Sequence, residues 1–398
     1  MQYKGEQNRP RLKTHVFGQV FIIGVLLSCL FILPAISYYS SRLILQSSGT
    51  IGLDWLHTED KSIVDSYGNV VILRGANFMG YEFGAWGRHE ENDYSRMATW
   101  GFNVVRLPIS WHYIEPQPGT YNLSYLETYV DRDIGWAKKR GIYIILDMHQ
   151  WYWSQYFTFF SQQGEVGNGF PSWLVSGYPD TNAGYIKAVT DFWVGKGPNG
   201  TAPTDTNPSM QDRFINMWRQ VAQKYSGESA IAGYDILNEP FSGELSWEEH
   251  SAYLYSFYGN LVSKIRESDI KHIIVYQHIP ALTIKYARLL NYSNIMFSFH
   301  FGTLKDNYDG NQTKLRYAFL QYFGEISDWN IPVYVGEFNT HSEYPNAAQW
   351  IFDTVGIFNE YKLAWTWWSY YKSDYYTASL CYYDGAERIE LTQHLKAS

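Results

Sequence analysis

Two glutamates, each at the end of an apolar segment, are the residues whose type and position in the chain indicate chemistry. Glu239 ends an apolar run that starts at Ile231, and Pro240 follows it. Proline cannot extend a strand ladder, so a strand is predicted to end there with a carboxyl group at its tip. Residues 331–336 are also strand-like and lead into Glu337. Two carboxyl groups at strand ends predict an acid/base pair.

The segments that must position these glutamates form a repeating pattern of strands and helices. Helical periodicity marks residues 123–140, 213–225, 247–266 and 347–361. Eight apolar, strand-like runs alternate with such segments, at residues 70–77, 103–108, 142–149, 231–239, 272–276, 295–300, 331–337 and 363–368. This alternation predicts an α/β fold, a closed (β/α)8 TIM barrel. An open doubly wound sheet is the alternative, but the chain has no glycine-rich phosphate-binding fingerprint to support it.

One connection in the predicted barrel is enlarged. After the third strand, the chain from Gln150 to about Met210 is rich in Gly, Pro, Asn and Thr. Loops of this length are usually functional or disordered. The first part, residues 151–160, is too aromatic to be disordered. We therefore expect this loop to form a wall of the cleft.

Polar side chains follow the apolar strands of the predicted barrel. The site of such a barrel forms at the carboxyl ends of its strands. Taken singly, an arginine here is readily explained as an ion-pair partner and a histidine as part of the core. Together they predict a polar site at the barrel mouth. The residues are Asn77, Arg106, His149, Asn238, Glu239, His278, His300, Glu337 and Trp368.

A metal site is the alternative explanation for the histidines. It would join His149 and His300 to a glutamate, but the sequence has no close His-x-x-x-His or His-x-His spacing to support it. The two cysteines, Cys29 and Cys381, are too far apart in sequence to indicate a disulfide framework or a thiolate cluster. We therefore expect neither a metal nor another cofactor.

Composition narrows the class of partner. A formal charge of -8 and an isoelectric point near 5.8 provide no basic surface for nucleic acid, and that class of partner is excluded. Aromatic residues make up 18% of the chain, and 16 residues are tryptophan. Flat rings suit a protein that stacks on sugars, although a large aromatic core is the simpler explanation.

The N-terminal segment predicts attachment to a membrane. Residues 16–37 are apolar, uncharged and long enough to span a bilayer. Residues 1–15 are basic, which predicts a cytoplasmic tail. Residues 38–50 are predicted to form a tether to an extracellular domain at 51–398. We expect a single-pass protein of the cell membrane. Secretion after cleavage of a signal peptide is the alternative.

Several motifs in this order resemble glycoside hydrolase family 5, the cellulase-like retaining barrels. The likeness runs from about Trp55 to Trp368. It rests on the motifs Arg106-Leu107-Pro108, Asp147-Met148-His149-Gln150, Asn238-Glu239-Pro240 and Gly336-Glu337-Phe338.

The resemblance assigns separate roles to the two glutamates. It implies that Glu239 is the general acid/base and Glu337 the nucleophile of a two-step, retaining hydrolysis. An acid must be neutral and a nucleophile ionised at the same pH. We expect Arg106 to hold Glu337 charged, and the charge of Glu337 to raise the pKa of Glu239.

The resemblance also implies residues that bind substrate. Asn238 would donate to the sugar 2-hydroxyl, and His149 and His300 would line the subsite of the cleaved bond. Trp368 matches the family's platform tryptophan, with Trp367 as competitor because neighbours on a strand face opposite sides. Asn77 and Arg106 are further expected substrate-binding residues.

One position departs from the family pattern. The family places a tyrosine two residues after the histidine of the sixth barrel strand, where its hydroxyl contacts the nucleophile. Here His300-Phe301 is followed by Gly302. We expect Tyr308, further along the same loop, to take this role.

The expected substrate is a polysaccharide or oligosaccharide, and the expected activity that of an endo-β-1,4-glucanase. An endoglycosylceramidase, a β-mannanase or a β-1,3-glucanase on the same barrel are alternatives. A non-catalytic, membrane-anchored sugar-binding protein is disfavoured because it needs neither glutamate. The catalytic domain is expected to be monomeric. Candidate stacking platforms are Trp86, Trp111, Tyr113, Trp151 and Trp153.

Overall fold

Eight parallel strands close into a barrel in the computed structural model of the protein, which describes residues 52–84, 89–163, 166–278 and 281–396. Two further strands, β1 (His57–Glu59) and β2 (Ser62–Val64), form a separate antiparallel hairpin. The barrel strands are β3 (Arg74–Asn77), β4 (Val104–Ile109), β5 (Tyr143–Met148), β6 (Ile231–Asp235), β7 (Ile273–Gln277), β8 (Ile295–Phe301), β9 (Val333–Phe338) and β10 (Ala364–Trp367).

The barrel closes by pairing β10 with both β3 and β9, and every other barrel strand pairs with its neighbours in chain order. The predicted (β/α)8 TIM barrel is confirmed, with all eight predicted strand regions in it. The first strand is shorter than predicted. It begins at Arg74, whereas Val70 forms an antiparallel bridge with Val64.

Helices cover the barrel and begin where the sequence provides hydrogen-bond acceptors. The Ser246 side chain accepts from the Glu249 amide and starts one helix, and the Ser209 side chain accepts from the Asp212 amide and starts another. The α-helices are Glu91–Thr99, Trp111–Ile114, Leu123–Tyr125, Arg132–Lys138, Ser172–Val175, Asn182–Trp193, Met210–Tyr225, Trp247–Arg266, Gln312–Phe323, Ala347–Glu360 and Ile389–Lys396. A π-helical segment, Leu126–Asp131, joins the third to the fourth.

The β1–β2 hairpin packs against the starting ends of the barrel strands. Its Ile63, together with Leu56, belongs to a buried apolar cluster that includes Leu73, Val104 and Ile273, which lie at or just before the first residues of their strands. The hairpin therefore closes the end of the barrel opposite the carboxyl ends of the strands.

The long connection after β5 is ordered where it is described. It contains the helices Ser172–Val175 and Asn182–Trp193 and the 3₁₀ turns Thr158–Gln163 and Pro198–Gly200. Much of its aromatic beginning is core: the Trp153 ring stacks on Phe170 with centroids 4.1 Å apart. The loop is thus partly a packed subdomain and partly the cleft wall that we expected.

The predicted cytoplasmic tail, membrane helix and tether, at residues 1–15, 16–37 and 38–50, lie outside the described residues, as do Cys29 and Trp86. No helix within the described ranges is both long enough and apolar enough to cross a membrane.

Candidate active site

A cavity of about 570 Å³ opens at the carboxyl ends of the barrel strands. It is where the (β/α)8 fold places its active sites. Both predicted catalytic glutamates line it, together with His149, Asn238 and Trp368. The remaining lining residues are Met79, Gly80, Glu82, Phe83, Trp151, Val166, Asn168, Tyr371 and Tyr376.

Arg106 lies under this cavity as the centre of a charged network. Its side chain is fully buried on β4, and its Nη1 donates to Oε1 of Glu337 at 2.8 Å. Its Nη2 pairs with Asp147 and Asp235, each at 2.9 Å. Burial opposes the charge of Arg106, but the three carboxylates outweigh it and raise its pKa. Arg106 thus holds a fixed positive charge against Glu337.

The two glutamates face each other around His300. One oxygen of each carboxyl group and one ring nitrogen of His300 all lie within 4.8 Å of one another. His300 Nδ1 is 2.8 Å from Oε1 of Glu239 and 3.7 Å from Oε2 of Glu337. Carboxyl groups this close match the short separation of retaining glycosidases rather than the ~6.5–9.5 Å of inverting ones.

The pKa of Glu239 differs from our expectation. Burial favours the neutral form, yet the hydrogen bond and the positive charge of His300 outweigh burial and lower the pKa. Burial also opposes a charge on His300, but the charges of Glu337 and Glu239 raise its pKa. Both shifts favour an ionised carboxyl group on Glu239 beside a protonated His300 in the free protein. The predicted increase in the Glu239 pKa through Glu337 is wrong for this state.

The backbone of Glu239 is held in an uncommon conformation. Its φ of 41° lies in the left-handed region, which non-glycine residues rarely adopt. Gln150 Nε2 donates to the carbonyl oxygens of Asn238 (3.0 Å) and Glu239 (2.6 Å). The Glu239 amide donates to Oε1 of Gln277 at 3.1 Å. Two glutamine side chains thus fix the turn that directs Glu239 into the cavity.

Asn238 and His149 have the positions that we predicted, at the cavity wall. Asn238 Oδ1 accepts from Arg106 Nη2 at 2.9 Å, and His149 Nδ1 is 2.7 Å from Oδ2 of Asp147. The His149–Asp147 contact leaves Nε2 as the ring nitrogen available to a ligand. Among the described residues, the group placed closely enough to hold a metal ion is Glu239, His300 and Glu337, which does not include His149.

Trp368, rather than Trp367, faces the cavity. The Trp368 ring is stacked on His149 with centroids 5.2 Å apart and 8° between the planes. Trp367 is fully buried, and its Nε1 donates to the carbonyl oxygen of Ala378. Alternation along β10 explains the difference, because adjacent side chains point to opposite faces.

Two residues that we predicted to bind substrate lie beneath the cavity instead. Asn77 is fully buried: its Nδ2 donates to the carbonyl oxygens of Gly336 and Trp367, and its Oδ1 accepts from Arg106. Asn77 and Arg106 are absent from the cavity lining. They position the residues that line the cavity. His278, also at a strand end, is buried and stacks with Tyr255.

The prediction for Tyr308 is wrong. It is buried, and its hydroxyl donates to Oδ2 of Asp353 at 2.6 Å, on the helix Ala347–Glu360. The space next to Gly302 is filled by Lys305, whose Nζ donates to Oδ1 of Asn339. The described segment after the sixth barrel strand therefore supplies no tyrosine to Glu337.

A tyrosine reaches the cavity from another loop. Tyr376, which follows β10, lines the cavity beside Glu337 and accepts a hydrogen bond from Asn339 Nδ2 at 3.1 Å. Burial, reinforced by the charge of Glu337, raises the pKa of Tyr376, so its hydroxyl stays protonated. We did not predict this residue, because a tyrosine several residues past a strand end carries no sequence signal of its own.

Only part of the predicted aromatic surface is in the cavity. Trp151 lines it and is 38% exposed, whereas Trp111 and Trp153 are fully buried. Tyr113 stacks on Tyr125 with centroids 5.5 Å apart. Among the described candidates, Trp151 alone lies at the cavity.

Comparison with known proteins agrees with this geometry. Residues 64–374 match the family described as Cellulase (glycosyl hydrolase family 5). An endoglycoceramidase of Cyanea nozakii is 25% identical over 224 residues, which are 48% of this chain and 42% of the relative. Endoglucanase B of Acetivibrio thermocellus is 27% identical over 207 residues, 47% of this chain and 30% of the relative. The chain thus spans less than half the length of these curated relatives.

Solved structures show the same fold. Endo-glycoceramidase II from Rhodococcus sp., solved as a ganglioside GM3 complex, superposes with a TM-score of 0.72 at 24% sequence identity. The superposition covers 85% of this chain and 81% of that one. Because the family match extends over most of the chain and includes both strand-end glutamates, the protein belongs to glycosyl hydrolase family 5.

Proposed function

We propose that this glycosidase hydrolyses β-glycosides with retention of anomeric configuration, using Glu239 and Glu337. One observation carries the proposal: one carboxyl oxygen of Glu239 and one of Glu337 lie within 4.8 Å of each other. That spacing leaves no room for the water that an inverting mechanism places between sugar and base.

In the first step, the carboxylate of Glu337 attacks the anomeric carbon while Glu239 protonates the glycosidic oxygen. The bond to the leaving group breaks, and a covalent glycosyl ester with Glu337 forms. Arg106 pairs with the Glu337 carboxylate at 2.8 Å and holds it in place for this attack. In the second step, Glu239 removes a proton from water, which attacks the same carbon and releases the sugar.

The proton for the first step comes from His300. The charge of Glu337, 3.7 Å away, is one of the two charges that raise the pKa of His300. Glu337 loses its charge when it forms the ester, so the pKa of His300 falls. The fall coincides with the step in which the leaving group needs a proton. The 2.8 Å contact between His300 and Glu239 is short enough to transfer it.

The remaining lining residues hold the sugar. Asn238 binds the 2-hydroxyl of the sugar at the cleaved bond, and His149 Nε2 forms a hydrogen bond with a neighbouring hydroxyl. Trp368 lies under the apolar face of the ring.

For the substrate, we propose a glycolipid, cleaved between its sugar and lipid parts as by an endoglycosylceramidase. Two observations support this choice over the cellulase that we expected. Curated relatives from Cyanea nozakii and Hydra vulgaris are both named endoglycoceramidase. The cavity lining also includes the apolar side chains of Trp151 and Val166 in the loop after β5, of which Val166 is 50% exposed. Apolar lining suits a lipid leaving group better than another sugar.

An endo-β-1,4-glucanase is the second candidate. It is favoured by the relative named Endoglucanase B and by the position of Trp151 at the cavity, where a ring can stack on a sugar beyond the cleaved bond.

A substrate panel distinguishes the two. Purified protein is incubated with ganglioside GM3, glucosylceramide, carboxymethylcellulose, β-mannan and laminarin, and released sugar is measured. We expect sugar release from the glycolipids and little from the polysaccharides. Glu337→Ala is the control, and equal activity of this variant and the parent would contradict the mechanism. Release from carboxymethylcellulose alone would establish the glucanase.

We also propose that residues 16–37 anchor the protein in the cell membrane, with the catalytic domain outside. The apolar character of this segment supports the anchor. Fractionation of cells that express the full chain tests it. Recovery of a shortened protein in the medium would instead indicate a cleaved signal peptide.

A further inference from the structure

Glu82 is a buried carboxyl group in the cavity that the proposed mechanism does not use. It lies in the short 3₁₀ turn Tyr81–Phe83, which follows strand β3, and its side chain is only 1% exposed. It nevertheless lines the cavity, as do His149 and Trp368.

The two oxygens of Glu82 are in different situations. Oε2 accepts a hydrogen bond from the Gly80 amide at 2.7 Å. Oε1 is buried and has no hydrogen-bond partner among the described residues. No lysine or arginine is among the described residues that line the cavity. Burial, which outweighs the nearby charge of His149, raises the pKa of Glu82 to about 7.

An unpartnered, buried carboxyl oxygen is destabilising, which makes a purely structural role a poor explanation. Glu115 shows what a structural glutamate looks like in this fold. It is equally buried, but Oε2 accepts from Trp111 Nε1 at 2.8 Å and Oε1 from the Gly119 amide at 2.7 Å. Glu82 differs because its unsatisfied oxygen adjoins a cavity that receives a ligand.

The position of Glu82 in the barrel indicates which part of the ligand it meets. Glu239 follows β6 and protonates the oxygen of the leaving group, so the leaving group lies on that side of the cavity. Glu82 follows β3, which pairs with β10, the strand before Trp368. It is three strands away from β6 in the closed barrel. Glu82 therefore lies on the side of the retained sugar.

We propose that Glu82 is a specificity-determining residue that takes a hydrogen bond from a hydroxyl group of the second sugar, on the non-reducing side of the cleaved unit. This inference rests on the proposed glycosidase function. It predicts a preference for β-linked disaccharide head groups over single sugars. A ligand hydroxyl would supply the partner that Oε1 lacks.

The test uses aryl β-glycosides that share one leaving group and carry glucose, cellobiose or lactose. In the parent we expect kcat/KM to be higher for the disaccharides than for glucose. In Glu82→Ala this advantage should fall by about tenfold or more, mainly through KM, because a hydrogen bond to a carboxylate is lost. Glu82→Gln keeps an acceptor oxygen, so its advantage for disaccharides should lie between that of the parent and that of Glu82→Ala. Glu115→Gln, a matched change outside the cavity, should leave the ratio unchanged.

Tryptophan fluorescence, recorded while free cellobiose or lactose is added to the protein, measures binding through the same contact without turnover. Glu82→Ala should weaken this binding by about tenfold. If the parent cleaves none of the glycosides but binds the disaccharides in a Glu82-dependent way, the proposed hydrolysis fails and the role of Glu82 stands. If both measurements are the same in the parent and the two Glu82 variants, the role of Glu82 is overturned, whatever the activity.

Discussion

At the scale of single residues, the site works through carboxyl groups whose surroundings differ. Glu337 contacts a permanently charged arginine, while Glu239 contacts a histidine that gains and loses a proton. Removing one carboxyl group should therefore have a different chemical consequence from removing the other. Azide can reveal the difference, because azide is a nucleophile that needs no general base.

Glu239→Ala should retain formation of the glycosyl ester from substrates with a good leaving group, and azide should then attack the ester. We expect the β-glycosyl azide, with retained configuration. In Glu337→Ala, azide enters the vacated space and should give the α-glycosyl azide. Each variant should lose at least about a thousandfold in kcat without azide. Nuclear magnetic resonance of the product identifies the anomer. The same anomer from both variants would refute the assignment of roles.

A second prediction at this scale concerns Tyr376. We expect its hydroxyl to stabilise the carboxylate of Glu337, so Tyr376→Phe should lower kcat by about ten- to a hundredfold, the value of a hydrogen bond to a charged group. Tyr308→Phe is the matched control. It loses the bond to Asp353 and should lower Tm by a few degrees while kcat stays within about twofold. Steady-state kinetics and thermal unfolding of both variants check this. The reverse pattern would restore Tyr308 as the catalytic tyrosine.

At the scale of elements, the loops after β5 and β6 and the last residue of β7 act together on one backbone turn. Gln150 and Gln277 secure the left-handed conformation of Glu239 from two sides. The turn has a local conformational cost of about 1–3 kcal/mol that the surrounding structure must offset. Without its hydrogen bonds, the carboxyl group would no longer be fixed relative to Glu337.

Gln150→Leu tests this coupling. It removes the donors to the carbonyl oxygens of Asn238 and Glu239, and a shift of the acid by about an ångström should lower kcat by up to about a hundredfold with little change in KM. Gln211→Leu is the control. It removes a similar bond, from Nε2 to the carbonyl oxygen of Trp193, and Gln211 is absent from the cavity lining. An activity loss in both variants would indicate general destabilisation instead.

The barrel and both glutamates could be predicted because each barrel strand is a continuous apolar run that ends in a polar residue. Loop contacts could not be predicted. Asn77 and Arg106, on strands, have the sequence position of ligand-binding residues, yet their burial and their absence from the cavity lining show that they lie below the cavity. Tyr308 and Tyr376 are equally plausible in sequence, and the fold of two separate loops decides between them. Glu82 is likewise a loop residue whose importance follows from an unpartnered atom.

At the scale of the whole molecule, buried histidines should make the protein sensitive to acid. His250 lies on the helix Trp247–Arg266 beside Trp193, and neither ring nitrogen has a partner in the described part of the chain. Burial, with the nearby His278, lowers the pKa of His250 to about 3. The unfolded chain binds a proton near pH 6.5 and the folded one does not. Its contribution to stability is therefore full above pH 6.5 and declines as the pH falls toward 3.

His250→Phe keeps a ring against Trp193 and removes the titration. We expect Tm close to that of the parent at pH 7, and a stability advantage that grows toward pH 4 by up to about 1.4 kcal/mol per pH unit. Thermal unfolding between pH 4 and 7 measures the difference. His57→Phe, at an exposed position on β1, is the control and should show no such trend. A constant difference between His250→Phe and the parent would exclude this histidine as a source of acid sensitivity.

The β1–β2 hairpin beneath the barrel has a practical consequence for immobilising the protein. The described chain enters the domain at Gly52 and at once packs under the barrel, where the Leu53 carbonyl accepts from Ser229 and the Asp54 carbonyl from Tyr143. A linker at Gly52 that attaches the domain to a bead or a sensor surface therefore places the surface at the end of the barrel opposite the cavity. The cavity then faces the solvent, so the immobilised protein should still bind vesicles or fibres that are far larger than itself.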